Sequence, residues 1–167
     1  MSILNTKFNA LTLIAAIVAS LAATASAGLG WPVWAMFIGW VAFFTGEHSF
    51  KGALLSYICV AIGIALGNAA GLAVGSLLPV IDYFAFGAVV FVVAIAVVSL
   101  RAAPPLNNIP AYFLGLIAFF AAHISPGVGA FLDLAAVSAL GAISALTVAT
   151  LQRRFSHLSE KPSLRDQ

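Results

Sequence analysis

The stretch ALLSYICVAIGIALGNAAGLAVGSLL, residues 53–78, carries no charged side chain from end to end. It exceeds the ~20 mostly apolar residues that a helix needs to cross a bilayer. A segment of that kind is read as a helix in lipid, where every backbone polar group must find its partner within the segment. Glycines recur inside it at Gly63, Gly67, Gly71 and Gly75, one every four residues. On a helix they fall along one stripe. A stripe without side chains lets another backbone approach closely, and in a membrane such packing stands in for the hydrophobic drive between helices. Gly141, Ala145 and Ala149 form the corresponding row in the last apolar run. The expectation is that these two runs pack tightly, against each other or across the boundary between protomers of a homo-oligomer.

Working outward, further apolar runs lie near residues 9–27, 31–46, 82–100, 109–123 and 128–151. Between the six runs stand Gly28-Leu29-Gly30 before Trp31-Pro32, then Gly46-Glu47-His48-Ser49, Pro79, Ala103-Pro104-Pro105-Leu106-Asn107-Asn108, and Ser125-Pro126-Gly127. Gly and Pro clusters of this kind punctuate helices. The whole composition agrees, with 63% hydrophobic and 7% charged residues, against roughly 25% charged in a soluble domain. So few charges cannot cover a water-facing surface. The expected fold is an all-α membrane protein of six transmembrane helices over residues 1–152, with a polar cytoplasmic tail at 153–167.

The cations orient it, because Lys and Arg are retained on the cytoplasmic side. Lys7 precedes the first run, Lys51 lies between the second and third, and Arg101 between the fourth and fifth. Arg153, Arg154, Lys161 and Arg165 follow the sixth. With six spans and an inside N-terminus all of these fall inside, and the alternate connections contain no Lys or Arg. Residues 1–27 also carry the marks of a secretory signal, a cation, an apolar stretch and Ala25-Ser26-Ala27. Cleavage there would leave five spans and break the repeat described next, so an uncleaved first span is expected.

The second and fifth runs share a pattern. Phe37-Ile38-Gly39-Trp40-Val41-Ala42-Phe43-Phe44 aligns with Phe113-Leu114-Gly115-Leu116-Ile117-Ala118-Phe119-Phe120, and a histidine follows each, at His48 and His123. Downstream, Ala65-Leu66-Gly67 echoes Ala139-Leu140-Gly141. The halves are thus about 1–78 and 79–152. An odd number of spans per unit makes them point in opposite directions, the inverted-repeat plan of many channels and transporters. Both Pro-headed runs are short, reaching about 22 Å at ~1.5 Å per residue against a hydrocarbon core of ~30 Å. Short, Gly-interrupted segments at matching positions of two halves point to a binding site or pore. Gly39 and Gly115 therefore stand among the candidate pathway residues.

Ionisable and polar side chains within spans are functional candidates, since charge in lipid is costly. Asp133 lies on the same row as Gly129, Val137 and Gly141 and is expected to face protein or water; as a helix-start carboxylate it would also interact with the helix dipole. Asn68, beside Gly67, reads first as an interhelical hydrogen bond and second as a solute contact. Glu47 and His48 end the second span and His123 ends the fifth, where they would guard opposite mouths of one pathway. Trp31, Trp34, Tyr83 and Tyr112 are placed at the membrane interfaces. Catalysis is unsupported: Glu47-His48 has no second helically spaced histidine for a zinc site, and no phosphate-cradling loop of the GxxxxGK kind is present. The lone Cys59 makes no disulfide or metal framework. No cofactor and no metal are expected, and the basic residues form no nucleic-acid footprint.

Trp34-Ala35-Met36-Phe37-Ile38-Gly39-Trp40 through Phe44, then Lys51-Gly52-Ala53-Leu54 and the glycine row, resemble a family of small bacterial inner-membrane proteins catalogued as domain of unknown function 1097. Ile109-Pro110-Ala111-Tyr112-Phe113-Leu114-Gly115 is similar as well. The resemblance covers roughly residues 10–150 and departs at Glu47-His48-Ser49-Phe50, where small residues and glycine are expected. It implies a bacterial inner-membrane location with membrane lipids as surroundings, and carries no activity. From the residues themselves, two functions are expected in order: a channel or facilitator for a small, neutral or weakly charged solute, or a non-transporting scaffold that binds other membrane proteins through glycine-rich faces.

Overall fold

A computed structural model describes residues 6–159, and within it the chain is helical with no strand. Six α-helices follow one another: α1 (Thr6–Gly28), α2 (Val33–Phe43), α3 (Phe50–Ile81), α4 (Phe84–Ser99, continued by a 3-10 turn at Leu100–Ala102), α5 (Ile109–Ala122) and α6 (Val128–Ser159). Four of them, α1, α3, α4 and α6, are long and apolar enough to cross a membrane, whereas α2 and α5 are short apolar helices of 11 and 14 residues. Phe8, Leu13 and Leu21 of α1 and Phe84, Phe91 and Val92 of α4 are more than half exposed. An outer surface of this composition suits lipid. This is a helical membrane protein.

Local chemistry sets the helix ends. Ser49 caps α3, its Oγ accepting from Gly52 N at 3.0 Å, and Asn108 caps α5, its Oδ1 accepting from Ala111 N at 3.3 Å. Such side chains take up backbone N–H groups that a first helical turn leaves unpaired. Pro110 sits in the first turn of α5, where its missing N–H costs nothing. α3 does not stop at Pro79, contrary to expectation; it runs on to Ile81 and ends at Asp82, whose φ is 50°. So close to the end, a proline removes a single ladder bond and the last turn absorbs it. α6 likewise continues through 153–159, the first residues of the expected tail, while Lys161 and Arg165 lie outside the described residues.

Two backbone-to-backbone contacts hold the centre. α2 packs on α6, where a Cβ at Gly39 would lie 1.8 Å from the Ser138 carbonyl oxygen and one at Gly141 1.8 Å from that of Met36. α5 packs on α3, where a Cβ at Gly115 would lie 2.2 Å from the Val60 carbonyl oxygen and one at Gly63 2.2 Å from that of Tyr112. The two contacts are similarly spaced along the chain: Gly39 and Met36 each lie 76 positions before Gly115 and Tyr112, and Val60 and Gly63 each lie 78 before Ser138 and Gly141.

The glycine row of α3 thus faces α5 rather than chiefly α6. A Cβ at Gly67 or Gly71 would meet the Phe119 ring, and Gly75 has open space around it. α3 and α6 touch elsewhere, through the hydrogen bond from Tyr57 Oη to the Ala135 carbonyl at 3.1 Å and the packing of Phe43, Ala53 and Ala145. α1 lies along α6 with Ala22 and Ser26 buried, and α4 lies along α3 through Ala70, Val74 and Val89.

Candidate functional site

The connections that carry the cations meet at one end of the bundle. Gln152 Nε2 donates to the Leu11 carbonyl at 2.9 Å, tying the end of α6 to the start of α1, and the Arg153 guanidinium donates to the His48 carbonyl. Asn108 ties the connection after α4 to the end of α2 and to α3, its Nδ2 donating to Thr45 Oγ1 at 2.8 Å and Ser56 Oγ at 3.0 Å. Since Asn108 also caps α5, one side chain joins three helices. It has four hydrogen-bonding positions at most, and three are filled. A Cβ at Gly46 would lie 2.5 Å from Ser56 Oγ, so a side chain there would push the Ser56 hydroxyl from its place beside Asn108.

Beside this knot opens a cavity of about 450 Å³. Its polar wall is Thr45, Ser56, Asn107 and Asn108, its rim holds Glu47 and Lys51, and Leu55, Pro105 and Pro110 supply apolar surface. At ~30 Å³ per water the volume holds about 15 waters. Ser56 at its base is only 2% exposed. Seven residues further along α3, about 10 Å at the helical rise, Gly63 and Gly115 bring the two backbones together. The vestibule is therefore open at the cation-bearing end and closed by glycine packing above. Its neutral hydroxyl and amide groups with one acid and one base suit hydrogen bonding to a small polar molecule; nothing in it concentrates charge of one sign.

The sequence-derived candidates do not converge on one site. Glu47 lines the vestibule. Its neighbour His48 is exposed and turned away from it, stacked on Phe43 with ring centroids 5.4 Å apart and interplanar angle 18°. His123 caps the far end of α5 with φ 51°, exposed, its Nδ1 2.9 Å from the Ala121 carbonyl. Asn68 clamps the connection into α6: its Nδ2 donates to the Gly127 carbonyl at 2.9 Å, and its Oδ1 accepts from Gly127 N at 2.8 Å. That is the interhelical role read first. Gly39 and Gly115 are buried packing positions facing α6 and α3.

Asp133 is exposed, with no hydrogen bond or ion pair among the described residues, and lies beyond the first turn of α6, where the dipole's influence has faded. Tyr112 is fully buried in the bundle rather than facing its surroundings, and donates to the Leu106 carbonyl at 2.9 Å. Sequence reasoning missed Asn108, Thr45 and Ser56. An Asn two residues before a proline at a helix start was the available signal for Asn108, while the two hydroxyl residues carry none outside the fold.

The class of protein is thus a six-helix, membrane-embedded bundle with a polar vestibule at one end. Over residues 12–152 the chain matches the family model described as a protein of unknown function (DUF1097), and it belongs to that family. No curated protein and no solved structure matches it.

Proposed function

We propose that this protein is a facilitator for a small, neutral or weakly charged solute, built from two inverted three-helix halves with both termini in the cytoplasm. The observation that carries the reading is the vestibule itself. It sits where the end of α2 meets the start of α5, the two short helices at matching positions of the halves, and short interrupted segments so placed point to the binding site in transporters of this plan. The paired glycine contacts at Gly39–Ser138 and Gly115–Val60 support the repeat. The gathering of Lys51, Arg153 and the segment after Arg101 at one end supports the orientation.

In this conformation the Gly63–Gly115 contact closes the path, so passage requires α5 to move against α3. Glycine interfaces suit such motion, because no interdigitated side chains must unlock. Association of protomers belongs to the same reading. The test is uptake into proteoliposomes across a panel of small solutes such as polyols, amides and short carboxylic acids. One solute should enter faster than into empty vesicles and be slowed when Asn108→Leu removes the polar wall. Rates equal to empty vesicles throughout would refute transport and leave the scaffold reading in its place.

A further inference from the structure

A second cavity at the cation-bearing end, about 370 Å³, is lined by His48 and shares no lining residue with the vestibule. Gln152, Arg153, Ser156 and His157 line it from α6; their i, i+4 spacing places Gln152 over Ser156 and Arg153 over His157. His48 faces them, held by its ring on Phe43 and by an edge contact to Phe44 at 5.5 Å. The other wall is apolar, made by Leu11, Phe43, Phe44 and Ala149. Among the described residues no carboxylate lines the cavity, and Glu47 lines the vestibule instead. The site therefore joins one permanent cation and two imidazoles to an apolar wall. Phe44 of that wall is itself more than half exposed and carries it onto the outside of the bundle.

From this geometry we infer that the cavity binds an anionic phospholipid. The phosphate sits against Arg153, His157 and His48, and an acyl chain runs down the apolar wall onto the outside of the bundle. Arg presents its donors in a fork that matches phosphate oxygens, and basic pockets between spans on the cytoplasmic side recognise anionic headgroups in this way. The apolar wall selects the lipid over a free anion, because only the lipid brings hydrocarbon to cover it. A lipid held here would brace α1, the end of α2 and the end of α6 together. The inference needs the chain to span a membrane and is independent of any solute carried.

The test uses the full chain in a neutral detergent, titrated separately with dioleoyl phosphatidylglycerol, dioleoyl phosphatidylcholine and inorganic phosphate, with thermal unfolding as the readout. The glycerol lipid should raise the unfolding temperature more than the choline lipid, and inorganic phosphate should raise it little. Arg153→Gln should weaken the apparent affinity for the glycerol lipid about fivefold, the effect of one cation near an anionic surface. Arg101→Gln, which removes the same charge outside the cavity, should leave it unchanged. His157→Gln should weaken it too and carries the comparison if Arg153→Gln fails to fold. Equal stabilisation of the wild type by both lipids, or equal loss in Arg101→Gln and Arg153→Gln, would overturn the site. Inorganic phosphate matching the lipid would reassign it to a soluble anion.

Discussion

Replacing Gly141 by alanine adds one methyl group at the tightest point of the α2–α6 contact. The new Cβ would lie 1.8 Å from the Met36 carbonyl oxygen and 2.8 Å from Trp40 N. Both obstacles are backbone, so no rotamer change relieves them, and the helices must separate by more than 1 Å, on the order of the shortfall from a ~3.3 Å contact. Overpacking typically costs about 1–3 kcal/mol. With no flexible group to yield, the upper end applies, about 3 kcal/mol. For a chain of this size 1 kcal/mol moves the unfolding midpoint by roughly 2–4 °C, so Gly141→Ala should melt about 6–12 °C below wild type. Gly75→Ala is the control, because nothing lies within 4 Å of its Cβ position and alanine favours a helix over glycine by ~1 kcal/mol. It should melt at or above wild type. Unfolding in detergent, followed by the fluorescence of Trp31, Trp34 and Trp40, reads both. A Gly141→Ala midpoint within 2 °C, about the effect of 1 kcal/mol, of wild type would show that backbone contact does not hold these helices.

Other perturbations separate the remaining roles. Asn68→Leu strips both partners from Gly127 and should cost about 2–4 kcal/mol, two part-buried polar groups at ~1–2 kcal/mol each; an unchanged midpoint would mean that water replaces the clamp. Asn108→Ala should lose about 2–4 kcal/mol through its cap and two hydroxyl bonds, and Asn108→Ser should recover the ~1 kcal/mol of the cap. If Ser recovers nothing, the cap is irrelevant there. Thr45→Cys should react with a membrane-impermeant maleimide in inside-out vesicles only, whereas the buried native Cys59 should stay unlabelled from either side. Labelling of Thr45→Cys in intact cells would reverse the proposed orientation.

How far the sequence carried depended on the range of the interaction. Apolar runs bounded by Gly and Pro located all six helices, because a helix in lipid satisfies itself locally. Partners were a different matter. The four-residue row of Gly63, Gly67, Gly71 and Gly75 announces close approach but not its object, and α5 rather than α6 occupies it. Ala65-Leu66-Gly67 echoes Ala139-Leu140-Gly141 in residue type, yet the contact that corresponds to Gly141 falls at Gly63. α5 is three residues longer than α2 and its following connection one residue shorter, which lengthens the 76-residue offset of the short helices to 78, whereas the matching tripeptides stand 74 apart and so lie about one helical turn out of register. Asn108, Thr45 and Ser56 come from three segments, and only tertiary folding makes them one site.

The short helices explain where the polar side chains had to be. α5 ends beside Gly71, against Phe119 and Pro126, with ten residues of α3 still to run, about 15 Å at the helical rise. Its connection into α6 therefore lies well short of the C-terminal end of α3. Irregular backbone at membrane depth is tolerated only where protein or trapped water satisfies it. Asn68 does so by returning both an acceptor and a donor to Gly127. At the connection into α2 the backbone and hydroxyl of Ser26 serve Trp31 in the same way, at 2.9 and 3.3 Å. At the opposite end of α5 the same need is met by Asn108, but there a 450 Å³ vestibule remains beside the side chain. The clamps close the chain's own polar groups; Asn108 alone among them borders space that another molecule can enter.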